Sequence, residues 1–322
     1  MKRNKTLKSL VGLALSASLL ASTAAFAQLV SVSSIVEHPA LDSVRDGIKQ
    51  ALTDAGYTED KGLKWQFQTA QGNTAIASQI ARKFVGDQSD VIVAISTPSA
   101  QAVVAATKNI PVLYSAVTDP VAAQLVPSWE PSGTNVSGVS DMLALEKQLE
   151  LIKTIVPDAK TVGMVYNPGE ANSVVVVERL RELLSANDMT LLEATAARTV
   201  DVGAAARSLV GKVDVFYTNT DNNVVSAFEA LVKVGNDAQI PIVASDTDSV
   251  TRGAIAALGI NYYDVGVQTG KMVVRILKGE KPGEMPSEFS EDLELFVNLD
   301  AAAKQGVTLD EDFVKSATKI IE

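Results

Sequence analysis

Val91-Ile92-Val93-Ala94-Ile95-Ser96-Thr97-Pro98 decides how the chain folds. The run from Val91 to Ile95 is apolar without alternation, the pattern of a parallel strand covered on both faces. Two hydroxyl residues and a proline follow. Proline suits the first helical position, where a missing N–H costs nothing, and a Ser or Thr at that junction suits an N-cap. The stretch reads as strand, polar turn, helix.

The same unit repeats outward in both directions. Apolar runs rich in Val and Ile occupy Leu29–Val36, Leu63–Thr69, Val112–Ser115, Val162–Tyr166, Thr190–Ala194, Val213–Tyr217, Ile242–Ala244 and Ala254–Leu258. Helical spacing appears between them, as in Leu41, Val44, Ile48, Ala51 and Leu52, and over 74–85, 172–186, 200–210 and 222–234. This alternation predicts α/β architecture with parallel, doubly wound sheets. The strands suffice for two sheets. The join at Asn135–Leu143 is short, Gly259-Ile260-Asn261 reads as a second crossing ahead of a helix from Tyr262 to Lys278, and Leu293–Asn298 is a late strand that crosses again. The expected arrangement is two lobes on a multi-crossing hinge, 28–141 plus 261–290 forming the first and 142–260 plus 291–322 the second.

Residues 1–27 read as a secretory signal. Lys2, Arg3, Lys5 and Lys8 precede the apolar stretch Leu10–Leu20, and Ala25-Phe26-Ala27 supplies the small-x-small cleavage pattern, so the mature chain is expected to start at Gln28. The apolar run is short for a membrane span of about 20 residues. Removing four cations leaves 24 Lys+Arg against 38 Asp+Glu, a formal charge of −14. That balance argues against nucleic acid as a partner. No cysteine is present, which excludes disulfides, thiolate metal sites and cysteine nucleophiles, and with one histidine multi-His metal sites are excluded too. With no cysteine at the cleavage site to carry a lipid, the reading is a soluble, monomeric protein of a Gram-negative periplasm.

Polar residues collect at the carboxyl ends of the strands. They are Glu37-His38-Pro39, Ser96-Thr97-Pro98, Thr118-Asp119-Pro120, Asn167 through Asn172-Ser173, Asp221-Asn222-Asn223 and Ser245-Asp246-Thr247-Asp248. In open α/β sheets the ligand crevice lies outside those ends, where helix N-termini attract an anionic group. Each cluster alone is also what helix capping requires. Six clusters from two sheets point to a polar small molecule held between lobes. Other chemistry is thinly supported. Asp246-Thr247-Asp248 has few carboxylates for a cation cage. Glu37 and Asp119 lack an evident nucleophile partner. Phosphate-loop, dinucleotide and nucleophile-elbow motifs are absent. No metal or cofactor is expected.

Read in order, Glu37-His38-Pro39-Ala40-Leu41-Asp42, Ser96-Thr97-Pro98, Ala116-Val117-Thr118-Asp119-Pro120, Tyr166-Asn167-Pro168-Gly169-Glu170-Ala171-Asn172-Ser173 and Ala244-Ser245-Asp246-Thr247-Asp248-Ser249 resemble the ABC-transporter substrate-binding proteins of the tryptophan/aromatic amino acid type. The resemblance spans 28–322. It implies the type I periplasmic-binding-protein fold and a non-catalytic binder that hands its ligand to a membrane permease.

For an amino acid, Ser96 and Thr97, then Thr118, are the first choices for the carboxylate. Asp246, Asp221 and Asp119 are candidates for the ammonium, and Asn167, Asn172 and Asn222 for amide contacts. Ser245, Glu37 and His38 complete the expected site. Tyr114, Tyr166 and Tyr217 are candidate walls for an aromatic ring. The alternatives are a sugar or another polar metabolite as cargo, a periplasmic enzyme on the same fold, or a ligand-presenting sensor.

Overall fold

A computed structural model describes residues 28–290 and 292–322; the expected signal segment and its cleavage site lie outside the described residues. In chain order the strands are β1 (Gln28–Ser34), β2 (Leu63–Thr69), β3 (Val91–Ile95), β4 (Val112–Val117), β5 (Val136–Ser140), β6 (Thr161–Tyr166), β7 (Thr190–Thr195), β8 (Val215–Thr218), β9 (Ile242–Ala244), β10 (Ala256–Ile260), β11 (Glu288–Phe289), β12 (Leu293–Asn298) and β13 (Lys319–Ile321). They form two sheets, ordered β11-β5-β4-β3-β1-β2 and β13-β12-β10-β9-β8-β6-β7. All pairings are parallel except β10 with β12, where the chain returns to the second sheet antiparallel. The chain passes between sheets after β5, after β10 and after β11.

The stretch Asn135–Leu143, expected to be only a join, contains β5. Ser137, Gly138 and Ser140 dilute its apolar pattern, yet all five strand residues are buried. Gly138 is required there: a Cβ would sit 2.1 Å from the Tyr114 carbonyl oxygen. The expected helix over 222–234 is two helices, Asn222–Ser226 and Phe228–Ala238, because Ala227 (φ −112°, ψ 30°) leaves the helical region.

One core packs around the first sheet and holds Val30, Ile92, Leu113 and Val139 together with Val265, Met272 and Val273 of helix Tyr262–Leu277. Two further cores cover the faces of the second sheet, one around Val162, Met164 and Leu180, the other around Phe216, Phe228 and Leu231. Helix Pro39–Asp54 runs alongside helix Tyr262–Leu277 in the same direction. Glycines set their separation: a Cβ on Gly47 would meet the Tyr263 carbonyl at 2.2 Å, and one on Gly266 the Val44 carbonyl at 2.1 Å. His38 caps the first helix and Tyr262 opens the second, so this backbone-to-backbone packing places both at one edge of the sheet.

Candidate ligand-binding site

The carboxyl ends of the two sheets face one another across a cavity of about 340 Å³, its opening to solvent included. The first lobe supplies His38, Ala40, Leu41, Ser96, Thr97, Ala116 and Thr118, and the second Asn172, Thr220, Asn222, Val225 and Asp246. Asp141 and Tyr262 come from the crossings.

Ser96 N-caps helix Thr97–Ala106 with φ +76°, and Ala116 has φ +53°. Both are non-glycine residues in sparsely populated backbone regions, where strain is tolerated at binding sites. Ser96 Oγ and Thr97 Oγ1 are buried and have no protein hydrogen-bond partner. Next to them lies the first turn of a ten-residue helix, where Pro98 has no N–H and the Thr97 and Ser99 N–H groups have no intrahelical acceptor. Hydroxyl and amide donors thus converge on one wall. His38 Nδ1 accepts from Leu41 N at 3.5 Å, so the ring proton belongs on Nε2. Burial, then the charge of Arg252, lowers the His38 pKa to about 3, and the ring is neutral at ordinary pH.

On the other wall, Asn172 and Asn222 are held by Glu170. Asn172 Nδ2 donates to Glu170 Oε2 and to the Thr220 carbonyl, each at 3.2 Å. Asn222 Nδ2 donates to the same carboxylate oxygen at 2.5 Å.

Two carboxylates line the cavity. Asp246 accepts from Ser249 N (2.8 Å) and Ser249 Oγ (2.7 Å). Asp141 Oδ2 accepts from Tyr262 OH (2.7 Å), while Oδ1 has no protein partner. Burial raises both pKa values, and Asp246 adds repulsion at Asp141. No Lys or Arg lines the cavity. Nearby Arg252 is committed to Glu229 at 2.7 and 2.8 Å and to the Val225 carbonyl at 2.7 Å. A site with two buried acids and neutral donors can pair a cationic group at one end and an anionic group at the other.

Of the expected site residues, His38, Ser96, Thr97, Thr118, Asn172, Asn222 and Asp246 line this cavity. Ser245 lines an adjoining chamber of about 280 Å³ with Met142, Leu143, Leu145, Val176 and Tyr217, which shares Thr118, Asp141 and Thr220 with the first. The remaining four are engaged elsewhere. Glu37 is on the surface, 3.9 Å from Arg45. Asp119 caps Val121 N and Ala122 N and binds Arg179 of the second lobe at 2.6 Å. Asp221 caps Asn223 N and Val224 N and accepts from Asn167 N and Ser173 Oγ, leaving neither oxygen for a ligand. Asn167 is spent on Glu170 and Gly169.

The candidate tyrosines are placed differently from one another. Tyr114 is bound to Ser287 in the first core, and Tyr166 to Glu193. Tyr217 reaches only the adjoining chamber, and the tyrosine of the main cavity is Tyr262. Among the described residues no three His, Asp or Glu side chains gather as a metal cage, and no helix is long and apolar enough to cross a membrane.

Residues 29–321 match the family model described as ABC transporter substrate binding protein. The chain belongs to this family. Its members are the solute-binding components of ABC transporters. A relative from Clostridioides difficile named tyrosine-binding protein is 44% identical over 271 residues, 84% of this chain and 79% of the relative. The crystal structure of an ABC domain in complex with L-Trp from Streptococcus pneumoniae aligns with TM-score 0.88 at 33% identity, over 91% of this chain and 99% of that one. The ligand-free, open structure of a substrate-binding protein with adhesive properties from Clostridium difficile aligns with TM-score 0.70 at 41% identity, over 92% and 99%. The chain superposes better on the L-Trp complex than on the ligand-free, open structure, although the latter is nearer in sequence.

Proposed function

We propose that the protein binds an aromatic amino acid as its zwitterion between the lobes and delivers it, chemically unchanged, to the membrane permease of an ABC importer. The observation that carries this reading is the pairing inside one cavity of Asp141 and Asp246, with no Lys or Arg beside them, against the neutral donors of Ser96, Thr97 and helix Thr97–Ala106. The acids receive the ammonium. The hydroxyls and helix N–H groups receive the carboxylate, favoured there by the helix dipole. The names of the tyrosine-binding relative and of the L-Trp complex support an aromatic side chain. Tyr262, Leu41 and Val225 offer it apolar surface. The signal-like segment 1–27 supports work in the periplasm, with cleavage after Ala27. The hinge lies at Ser140–Asp141, Asn261 and the approach to Leu293, which bounds lobes of 28–141 plus 261–290 and 142–260 plus 291–322.

Calorimetric titration with L-tyrosine, L-tryptophan, L-phenylalanine, L-alanine and a panel of sugars tests this. One-to-one binding of at least one aromatic amino acid, at least about tenfold tighter than L-alanine, is expected from burial of its ring. A sugar that binds more tightly than every amino acid would overturn it.

A further inference from the structure

Glu170 is buried immediately before helix Ala171–Ser185. Four N–H groups converge on its carboxylate. Oε1 accepts from Asn167 Nδ2 (3.2 Å), and Oε2 from Asn172 Nδ2 (3.2 Å), Asn222 Nδ2 (2.5 Å) and the Asn222 backbone N (3.2 Å). This donor set suits an ionised carboxylate, whereas burial, then the charge of Asp221, lifts the Glu170 pKa to about 7. Asp221 is itself fully occupied by its own donors, as described above.

An ionised carboxylate and a backbone carbonyl can only accept. Turning the Asn172 amide over would set its oxygen against both Glu170 and the Thr220 carbonyl, and turning Asn222 over would set oxygen against oxygen. The amide orientation therefore follows from the chemistry of its surroundings. Both Nδ2 hydrogens of Asn172 are committed, to Glu170 and to the Thr220 carbonyl, so this amide has only its carbonyl branch left for another partner; Asn222 gives one Nδ2 hydrogen to Glu170 and is held with its carbonyl branch turned away from that carboxylate. Asn172 Oδ1 is buried with no protein partner, and both residues line the cavity.

We propose that Glu170 is a positioning residue that locks Asn172 and Asn222 with their carbonyl oxygens available to the ligand, so that this wall presents two amide acceptors and selects for a ligand amine. The inference rests on the amino-acid reading of the cleft. It assigns selectivity to a residue that does not line the cavity: the two carbonyl oxygens reward the ammonium of an amino acid over its carboxylate and so favour one way round for the zwitterion.

The test compares calorimetric affinities for L-tyrosine and for 3-(4-hydroxyphenyl)propanoate, the same molecule without its amine, in the native protein and in Glu170→Gln. A glutamine amide offers one acceptor and one donor group, so one asparagine is released to turn. The ratio of the two affinities is expected to fall at least about tenfold, with the amine-less ligand within about threefold of its native value. Equal weakening of both ligands, or an unchanged ratio, would overturn the role of Glu170 while leaving the amino-acid reading intact. A native protein that binds neither L-tyrosine nor any other aromatic amino acid would overturn both. If circular dichroism shows that Glu170→Gln is unfolded, Asn172→Ala and Asn222→Ala carry the same comparison. Each is expected to lower the ratio at least about fivefold, and a ratio unchanged in both would overturn the proposal.

Discussion

At the scale of single residues, the site depends on where charge is left uncompensated. Asp119 and Asp221 resemble Asp246 in sequence context: each follows a strand and precedes a helix or turn. Their fates differ because their partners differ. Arg179 neutralises Asp119, four donors saturate Asp221, and Asp246 has only Ser249. None of those partners can be read from spacing along the chain. Asp246→Ala should weaken amino-acid binding by about 10- to 150-fold, the ~1.5–3 kcal/mol of a hydrogen bond to a charged group, with a melting temperature close to native. Calorimetry and thermal melts check it, and unchanged affinity would remove Asp246 from the site. Asp141 escaped the sequence reading for a simpler reason. The run before it carries two serines and a glycine and does not read as a strand, so nothing in the sequence marks Asp141 as the residue at a strand's carboxyl end.

Secondary elements are where the sequence was most informative. Ten of the thirteen strands fall on apolar stretches of the sequence, several of them continuous as buried parallel strands require and others, such as β2, alternating. The exceptions are β5, which is polar; β11, which has only two residues; and β13, a short edge strand after a polar tail. Helix packing was not legible, because close approach depends on pairs of glycines distant in sequence. Gly266 meets Val44 and Gly47 meets Tyr263 across more than two hundred residues. Gly266→Ala should therefore lower stability by about 1–3 kcal/mol through overpacking, read as a reduced urea midpoint with an unchanged slope. It should also weaken ligand binding, because the displaced helices carry His38 and Tyr262 to the cavity. Native stability in this variant would show that the two helices can separate at no cost.

For the whole molecule, the decisive contact joins the lobes. Arg179 lies on helix Ala171–Ser185 of the second lobe and Asp119 follows β4 of the first, so their 2.6 Å ion pair bridges the two lobes. Asp119 is 5% exposed, while the Arg179 side chain is half exposed. An interaction made in one state alone shifts the population toward that state. Arg179→Ala should raise the ligand dissociation rate and weaken affinity about threefold to tenfold, as stopped-flow fluorescence can measure; the modest size reflects solvent screening of the arginine. An unchanged dissociation rate would mean that the pair forms without favouring closure.

In the proposed complex Asp141 and Asp246 hold the ammonium of an amino acid whose carboxylate meets helix Thr97–Ala106. The most direct measurement is a crystal structure of the protein with its tightest-binding aromatic amino acid. The ligand nitrogen should lie about 3 Å from a carboxylate oxygen of both Asp141 and Asp246. A nitrogen at the Ser96–Thr97 end, or one turned to solvent away from both acids, would contradict the account.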